Sequence, residues 1–409
     1  MRRARTVDDL GPDELDGQRL LVRVDYNVPL GPNGEVTSAG RIEATLPTLE
    51  RLGNAGATAV LVSHLGRPEG KRDPAASLAP VARDLSGRLG YEVPLLEAPP
   101  GSTELETQVA EIPSGRVALL ENIRFHPGET KNDPDLSAAL AALAGGFVGE
   151  AFGTAHRAHA SNVGAAERIR ADGGAAVAGL LMAKELHFLK ECVAKPERPF
   201  VAILGGAKIS GKIELIRAIL PKVDRLLIGG AMANTFFRAL GLETGSSLVE
   251  DDRVSMAAEL LELGGDTILL PVDCVVADEI REGAETRVAD RQEVGPEDRI
   301  GDIGPRSTEI FSREVRGAKT ILWNGPMGVF ELEPFARGTN GLAHVLAERA
   351  DAGVPVVVGG GDSAAAAEAA GVAERMTHVS TGGGASLDLL AGSELPGVAV
   401  LEMVETETG

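Results

Sequence analysis

Short apolar runs recur along the chain, and each ends in a glycine or polar turn ahead of a stretch that can be helical. In the first half these runs are Leu20–Val24, Ala59–Val62, Val117–Leu120 and Gly146–Val148. In the second half they are Val201–Leu204, Arg225–Ile228, Thr267–Leu270, Thr320–Trp323, Val354–Val358 and Thr377–Val379. They are apolar throughout rather than alternating, which fits strands covered on both faces, as in a parallel sheet wrapped by helices. Strand and helical stretches alternate across each half, which predicts an α/β fold of two doubly wound, Rossmann-like parallel-sheet domains. Between the halves, Ala175 to Lys195 carries Met182, Leu186, Leu189 and Val193 at 4-3-4 spacing, and Pro196 and Pro199 follow. That pattern predicts a long connecting helix. The expected division is therefore 1–178, a connecting helix over 179–196, 197–390, and a tail over 391–409 that either packs back on the N-terminal domain or frays.

Composition narrows the function. The 409 residues include 40 basic and 60 acidic side chains, a net charge of −20, which argues against general binding to nucleic acid or an anionic membrane. Aromatic residues make up only 3% of the chain, too few for platforms that stack single-stranded bases. Cys192 and Cys274 are the only cysteines, so neither a disulfide framework nor a cysteine-rich zinc site is available. No apolar stretch reaches the roughly 18 residues of a membrane span, and MRRARTVDDL is not followed by a signal-like apolar segment. The expectation is a cytoplasmic α/β protein with small-molecule ligands, no nucleic acid and no membrane.

The two halves place different groups at their strand ends, where open α/β sheets bind ligands. The first half is basic. Asp25, Asn27 and Arg41 follow the first run; His64, Gly66 and Arg67 the second; Asn122, Arg124 and His126 the third; His156, Arg157 and His159 the fourth. Any one arginine is readily explained as a surface ion pair. Four at equivalent strand ends of an acidic chain point instead to a small, multiply anionic metabolite, because the guanidinium fork matches carboxylate and phosphate oxygens.

The second half is glycine-rich, with GGAK at Gly205–Lys208, GGAMANTF at Gly229–Phe236, NGPMGVFE at Asn324–Glu331, GGGDS at Gly359–Ser363 and STGGGAS at Ser380–Ser386. Repeated glycine turns leading into helices suit a nucleotide cradle built from N–H groups. In VAILGGAKISGKI, Gly206, Gly211 and Lys212 match the glycine and lysine positions of a P-loop. Ile213 stands where that motif has a hydroxyl for Mg²⁺, so the metal needs another holder. Asp362 is the candidate; its competing explanation is a helix N-cap. Glu331 suits ribose hydroxyls or a helix start.

Taken together, RVDYNVPL, SHLGRP, LLENIRFH, AFGTAHRAHAS, GGAKISGKI, WNGPMGVFE, GGGDS and HVSTGGGAS resemble the phosphoglycerate kinase family, in order from about Arg23 to Leu390. The resemblance implies reversible transfer of a phosphoryl group between 1,3-bisphosphoglycerate and ADP, giving 3-phosphoglycerate and ATP, in a monomer that closes about a hinge. It implies an acceptor site from Asp25, Tyr26, Asn27, Arg41, His64, Leu65, Gly66, Arg67, Arg124 and Arg157. It implies a Mg²⁺–nucleotide site from Gly205, Lys208, Lys212, Gly229, Gly230, Gly304, Asn324, Glu331, Gly360, Gly361, Asp362 and Ser363, with Asp362 on the metal. Arg41, Lys212, Gly382 and Gly383 would face the moving group.

Two departures stand out: Gly149-Glu150 where the family usually has Asn-Asp, and Gly211 where it often has Asp. They leave open a catalytically altered, nucleotide-responsive binding protein, against which the retention of Arg41 and Lys212 speaks. Both acceptors are ionised at neutral pH, so no general base is required. Catalysis is expected to rest on alignment and charge neutralisation without a covalent intermediate.

Overall fold

The apolar runs become strands of two parallel six-stranded sheets in a computed structural model that describes residues 2–193 and 195–405. The chain divides into two units, Met1–Leu186 with Glu394–Gly409, and His187–Ser393. The first unit contains β1 (Arg2–Ala4), β2 (Arg19–Arg23), β3 (Thr58–Val62), β4 (Leu95–Leu96), β5 (Val117–Leu120), β6 (Gly146–Gly149) and β7 (Ala176–Ala178). Its sheet runs β4-β5-β3-β2-β6-β7, with Leu21 level with Val60 on one side and Phe147 on the other. Leu21, Val22, Val60 and Val148 are wholly buried, as expected where helices cover both faces.

The second unit contains β8 (Phe200–Leu204), β9 (Arg225–Ile228), β10 (Ile268–Leu269), β11 (Asp273–Ala277), β12 (Arg287–Asp290), β13 (Arg299–Ile303), β14 (Thr320–Asn324), β15 (Val356–Val358) and β16 (His378–Val379). Its main sheet runs β10-β9-β8-β14-β15-β16, a doubly wound order. The order reverses between β8 and β14, so their following turns diverge and leave a crevice at the carboxyl ends. In the first unit the order reverses in the same way between β2 and β6. No helix among the described residues is long and apolar enough to cross a membrane.

Several elements escape the apolar pattern. Strands β4 and β7 are two and three residues long, too short for a periodic signal. Strands β11, β12 and β13 form a separate antiparallel sheet; β12 (RVAD) and β13 (RIGDI) break up their apolar residues with Asp, Arg and Gly, whereas β11 (DCVVA) carries an apolar run at Cys274–Ala277. The tail carries β17 (Met403–Glu405), which pairs with β1, and Arg5 bonds Glu402. The Gly397 N–H also bonds Ala155 O. Residues 406–409 lie outside the described residues.

Helical chain runs from Leu180 to Val193, within the span expected for the connecting helix. Ala176–Ala178 is claimed by the sheet, the α-helix covers only Leu180–Leu186, and His187–Cys192 is wound as a π-helix. The division between units falls at Leu186/His187, inside the 179–196 span, and position 194 lies outside the described residues. The helix starts where Glu150 fixes it. This buried carboxylate accepts from the Leu181 and Met182 amides, both at 3.1 Å, and from Thr48 Oγ1, which itself accepts from Leu180 N at 2.9 Å. Gly179 is required here because a Cβ would run into the Glu150 carboxyl group. Burial pushes Glu150 up to about 7, although these hydrogen bonds favour the ionised form.

Candidate active site

In the first unit, the turn after β2 aims Asp25 and Asn27 at the single-turn helix Gly40–Glu43, which carries Arg41. Arg41 Nη1 donates to Asp25 Oδ2 and to Asn27 O, both at 3.1 Å, and Asn27 Oδ1 accepts from Gly66 N at 2.9 Å. Arg124 Nη1 donates to Gly66 O at 2.7 Å. Arg67, Arg124 and Arg157 line one cleft of about 520 Å³ together with His126, Thr130 and Lys131.

Charge in this region is predominantly positive. Burial, then the charges of Arg23, Arg124 and Arg41, hold His64 well below its ordinary value, so the ring is neutral. Arg124 is likewise pushed down by burial and then by Arg23 and Arg157. Guanidinium groups contributed by three separate strand ends therefore feel one another, an arrangement suited to a multiply charged anion.

Two of the expected acceptor-site residues turn their side chains inward. The Tyr26 ring is wholly buried and its phenol bonds Thr45 Oγ1 at 2.8 Å, and Leu65 packs into the core. The Tyr26 main chain is also engaged, its N–H on Ser63 Oγ at 2.8 Å and its carbonyl accepting from Val28 N at 2.9 Å.

In the second unit, the turns after β8, β9 and β14 are sewn together by main-chain bonds. Gly205 N donates to Asn324 O, Gly206 N to Pro326 O, Gly229 N to Leu204 O and Gly230 N to Met327 O, each at 2.9 Å. This corrects the expectation that Gly205 and Gly206 offer N–H groups to phosphate, since both donors are already used. Gly206 (φ 104°) and Gly360 (φ 95°) adopt left-handed backbone open only to glycine. Gly205 and Gly229 permit close approach, a Cβ there meeting Pro326 O or Met327 Sδ.

Positive groups on this side come instead from Lys212 and from helix starts. Lys212 is the N-cap of Ile213–Ile219, and its Nζ donates to Gly205 O at 2.6 Å and Asn324 O at 2.8 Å. Helices Gly361–Ala369 and Gly383–Leu390 begin side by side; a Cβ on Gly383 would lie 3.4 Å from Gly361 N. Their first-turn amides have no intrahelical acceptor and point their positive ends at the crevice. Asp362 is exposed in the first turn of its helix and makes no capping bond, so the N-cap explanation fails. Its charge is felt by Lys212.

Gly230, Glu331 and Asp362 line a cavity of about 380 Å³. Lys208 is exposed and does not line it. Gly304, Asn324 and Ser363 have packing roles: Gly304 N bonds Asp273 O, Asn324 Nδ2 bonds Gly359 O, and the buried Ser363 hydroxyl links Gly359 O to Gly325 N. Gly211 has open space around it, so the family's Asp would fit there.

The apolar wall of this cavity was not found from sequence. It combines Phe237, Leu248, Pro271 and Met327 with Cys274, Ile300 and Asp302 of the antiparallel sheet. Asp302 is buried, accepts from Gly338 N at 2.6 Å and Ile303 N at 2.8 Å, and so anchors the helix Arg337–Asp351. Burial pushes it from 3.8 up to about 7. A raised carboxyl stabilises the fold below its unfolded pKa, and that contribution disappears as pH rises through about 7. Asp302→Asn should therefore gain stability relative to the parent between pH 5 and 8, by at most about 3 kcal/mol. Thermal midpoints measured across that range check this; a difference independent of pH sinks it.

Comparison with known proteins follows the geometry. A family model described as phosphoglycerate kinase matches residues 7–393. The chain is similar to a phosphoglycerate kinase of Rubrobacter xylanophilus, 52% identical over 97% of this chain and 98% of that one. It is equally similar to one of Chloroflexus aurantiacus, 52% identical over 98% and 99%. Among solved structures it resembles phosphoglycerate kinase from Coxiella burnetii, with a TM-score of 0.86 and 38% identity over 97% and 98% of the two chains. The enzyme from Pyrococcus horikoshii gives 0.83 and 32% over the same shares.

Proposed function

The chain belongs to the phosphoglycerate kinase family, and we propose how its residues divide the reaction, which moves a phosphoryl group between 1,3-bisphosphoglycerate and ADP to give 3-phosphoglycerate and ATP. The acid binds in the first unit, its carboxylate and phosphate shared among Arg41, Arg67, Arg124 and Arg157, with Asp25 and Asn27 at its hydroxyl end and His64 donating a hydrogen bond. The nucleotide base lies in the cavity walled by Phe237, Leu248 and Met327, with Glu331 at the ribose. The phosphates reach Lys212 and the paired helix starts at Gly361 and Gly383. The observation carrying this division is that one unit holds a cluster of mutually repelling guanidinium groups, and the other a cavity lined by Asp362 that lies within reach of Lys212's charge.

Asp362 fits a magnesium role: it is exposed on the cavity lining, and Mg²⁺ needs only one or two carboxylates beside nucleotide phosphates. When bound, the ion neutralises phosphate charge. Both acceptor groups are already anionic, so no proton moves, and the protein's task is alignment and charge stabilisation. Reacting atoms must come within about 3–3.5 Å, so the two units close on each other at every turnover. The enzyme works as a cytoplasmic monomer. Turnover of ATP should depend on both 3-phosphoglycerate and Mg²⁺, and chelation should abolish it. Hydrolysis at the same rate without the acid would overturn the assignment.

A further inference from the structure

His64 is held from behind by buried polar groups that end at a carboxylate. Arg23, 1% exposed at the end of β2, donates from Nε to Ser161 Oγ at 2.7 Å and from Nη1 to Val24 O. Its Nη2 lies 3.3 Å from His64 Nδ1. Ser161 in turn gives its hydroxyl proton to Glu129 Oε1 at 2.7 Å and its N–H to Glu129 Oε2 at 3.0 Å. Glu129 is wholly buried; against the upward push of burial, His159, Arg23 and Ser161 hold it below the usual carboxylate range, so it is ionised.

Proton direction along this chain is dictated by valence. A guanidinium carries N–H donors and no acceptor, so across the Arg23 contact His64 Nδ1 must be the acceptor and carry no proton. The competing partner, Asp25 Oδ1, is 3.7 Å from Nδ1, and Asp25 already accepts from Arg41. The ring is neutral. Its single proton is then on Nε2, which has no hydrogen-bond partner among the described residues.

We propose that Glu129, acting through Ser161 and Arg23, is a positioning residue that fixes His64 as the Nε2–H tautomer, so that a neutral ring donates to the anionic acid. The role in catalysis rests on placing the acid beside His64; the tautomer does not. Long-range ¹H–¹⁵N NMR of the histidine-labelled full chain, without ligand, should show Nδ1 bare and Nε2 protonated from pH 6 to 8. A protonated Nδ1 in the parent overturns the proposal. Ser161→Ala, which keeps the main-chain bond to Glu129, and Glu129→Gln should both mix the tautomers. They should also raise KM for 3-phosphoglycerate about five- to tenfold, the effect of one weakened hydrogen bond, with kcat little changed. If Glu129→Gln does not fold, Ser161→Ala tests the same link, and an unmixed tautomer there overturns the proposal. Mixed tautomers with an unchanged KM would uphold the chain of bonds and overturn the placement of the acid.

Discussion

Replacing Arg41 with alanine should lower turnover about a thousandfold at saturating substrates, the low end for an arginine that stabilises phosphoryl-transfer charge. The thermal midpoint should move little. Arg41 is half-buried and bonds Asp25 and Asn27 O near the surface, and such sites typically contribute under about 0.5 kcal/mol to stability. Arg41→Lys keeps the charge and loses the planar fork, so it should recover only part of the rate. Steady-state kinetics with the acid and the nucleotide varied separately decide the role. A raised KM for the acid with unchanged kcat would mean that Arg41 binds the ground state alone.

Lys212→Ala should cost a similar factor, and it should also remove one limb of the pH profile. The ammonium is turned onto two carbonyl oxygens, Gly205 O and Asn324 O. Burial pushes it from 10.5 down to about 8, with Asp362 pulling the other way. An incoming phosphate favours the charged form, so nucleotide binding should take up a proton near pH 8. In the parent, kcat/KM for the nucleotide should fall tenfold per pH unit above about 8, as the free enzyme loses this charge. The Lys212→Ala profile should be flat there. A parent profile that stays level to pH 10 would show that the lysine keeps its proton and that the carbonyl contacts outweigh burial.

The main-chain bonds around Gly205 and Gly206 bear on both results. A glycine pair before a lysine looks like a donor loop when only spacing is visible. In the fold those amides close the turn against Pro326 and Asn324, and the carbonyl of Gly205 holds Lys212. The glycines shape the loop, and the proposed phosphate contacts fall to the helix starts at Gly361 and Gly383 and to the charge of Lys212.

How much of this was legible beforehand follows from the range of each interaction. Uninterrupted apolar runs such as Val201–Leu204 and Val117–Leu120 identify strands buried on both faces, because burial itself selects the residues. Their alternation with helices yields the α/β class and the two-lobe plan. Arginines after four strands of the first sheet point to a ligand there because the carboxyl ends of parallel strands share one edge, and Asp362 follows a strand of the second sheet in the same way. Other features are decided only by contacts distant in sequence. The strand Ala176–Ala178 exists because β6 pairs with it. The Tyr26 ring turns into the core, its phenol bonded to Thr45. The cavity wall joins Phe237 to Met327 across ninety residues, and no local pattern marks it. Local burial is written in the sequence; which donor meets which acceptor is settled only when the turns close on one another.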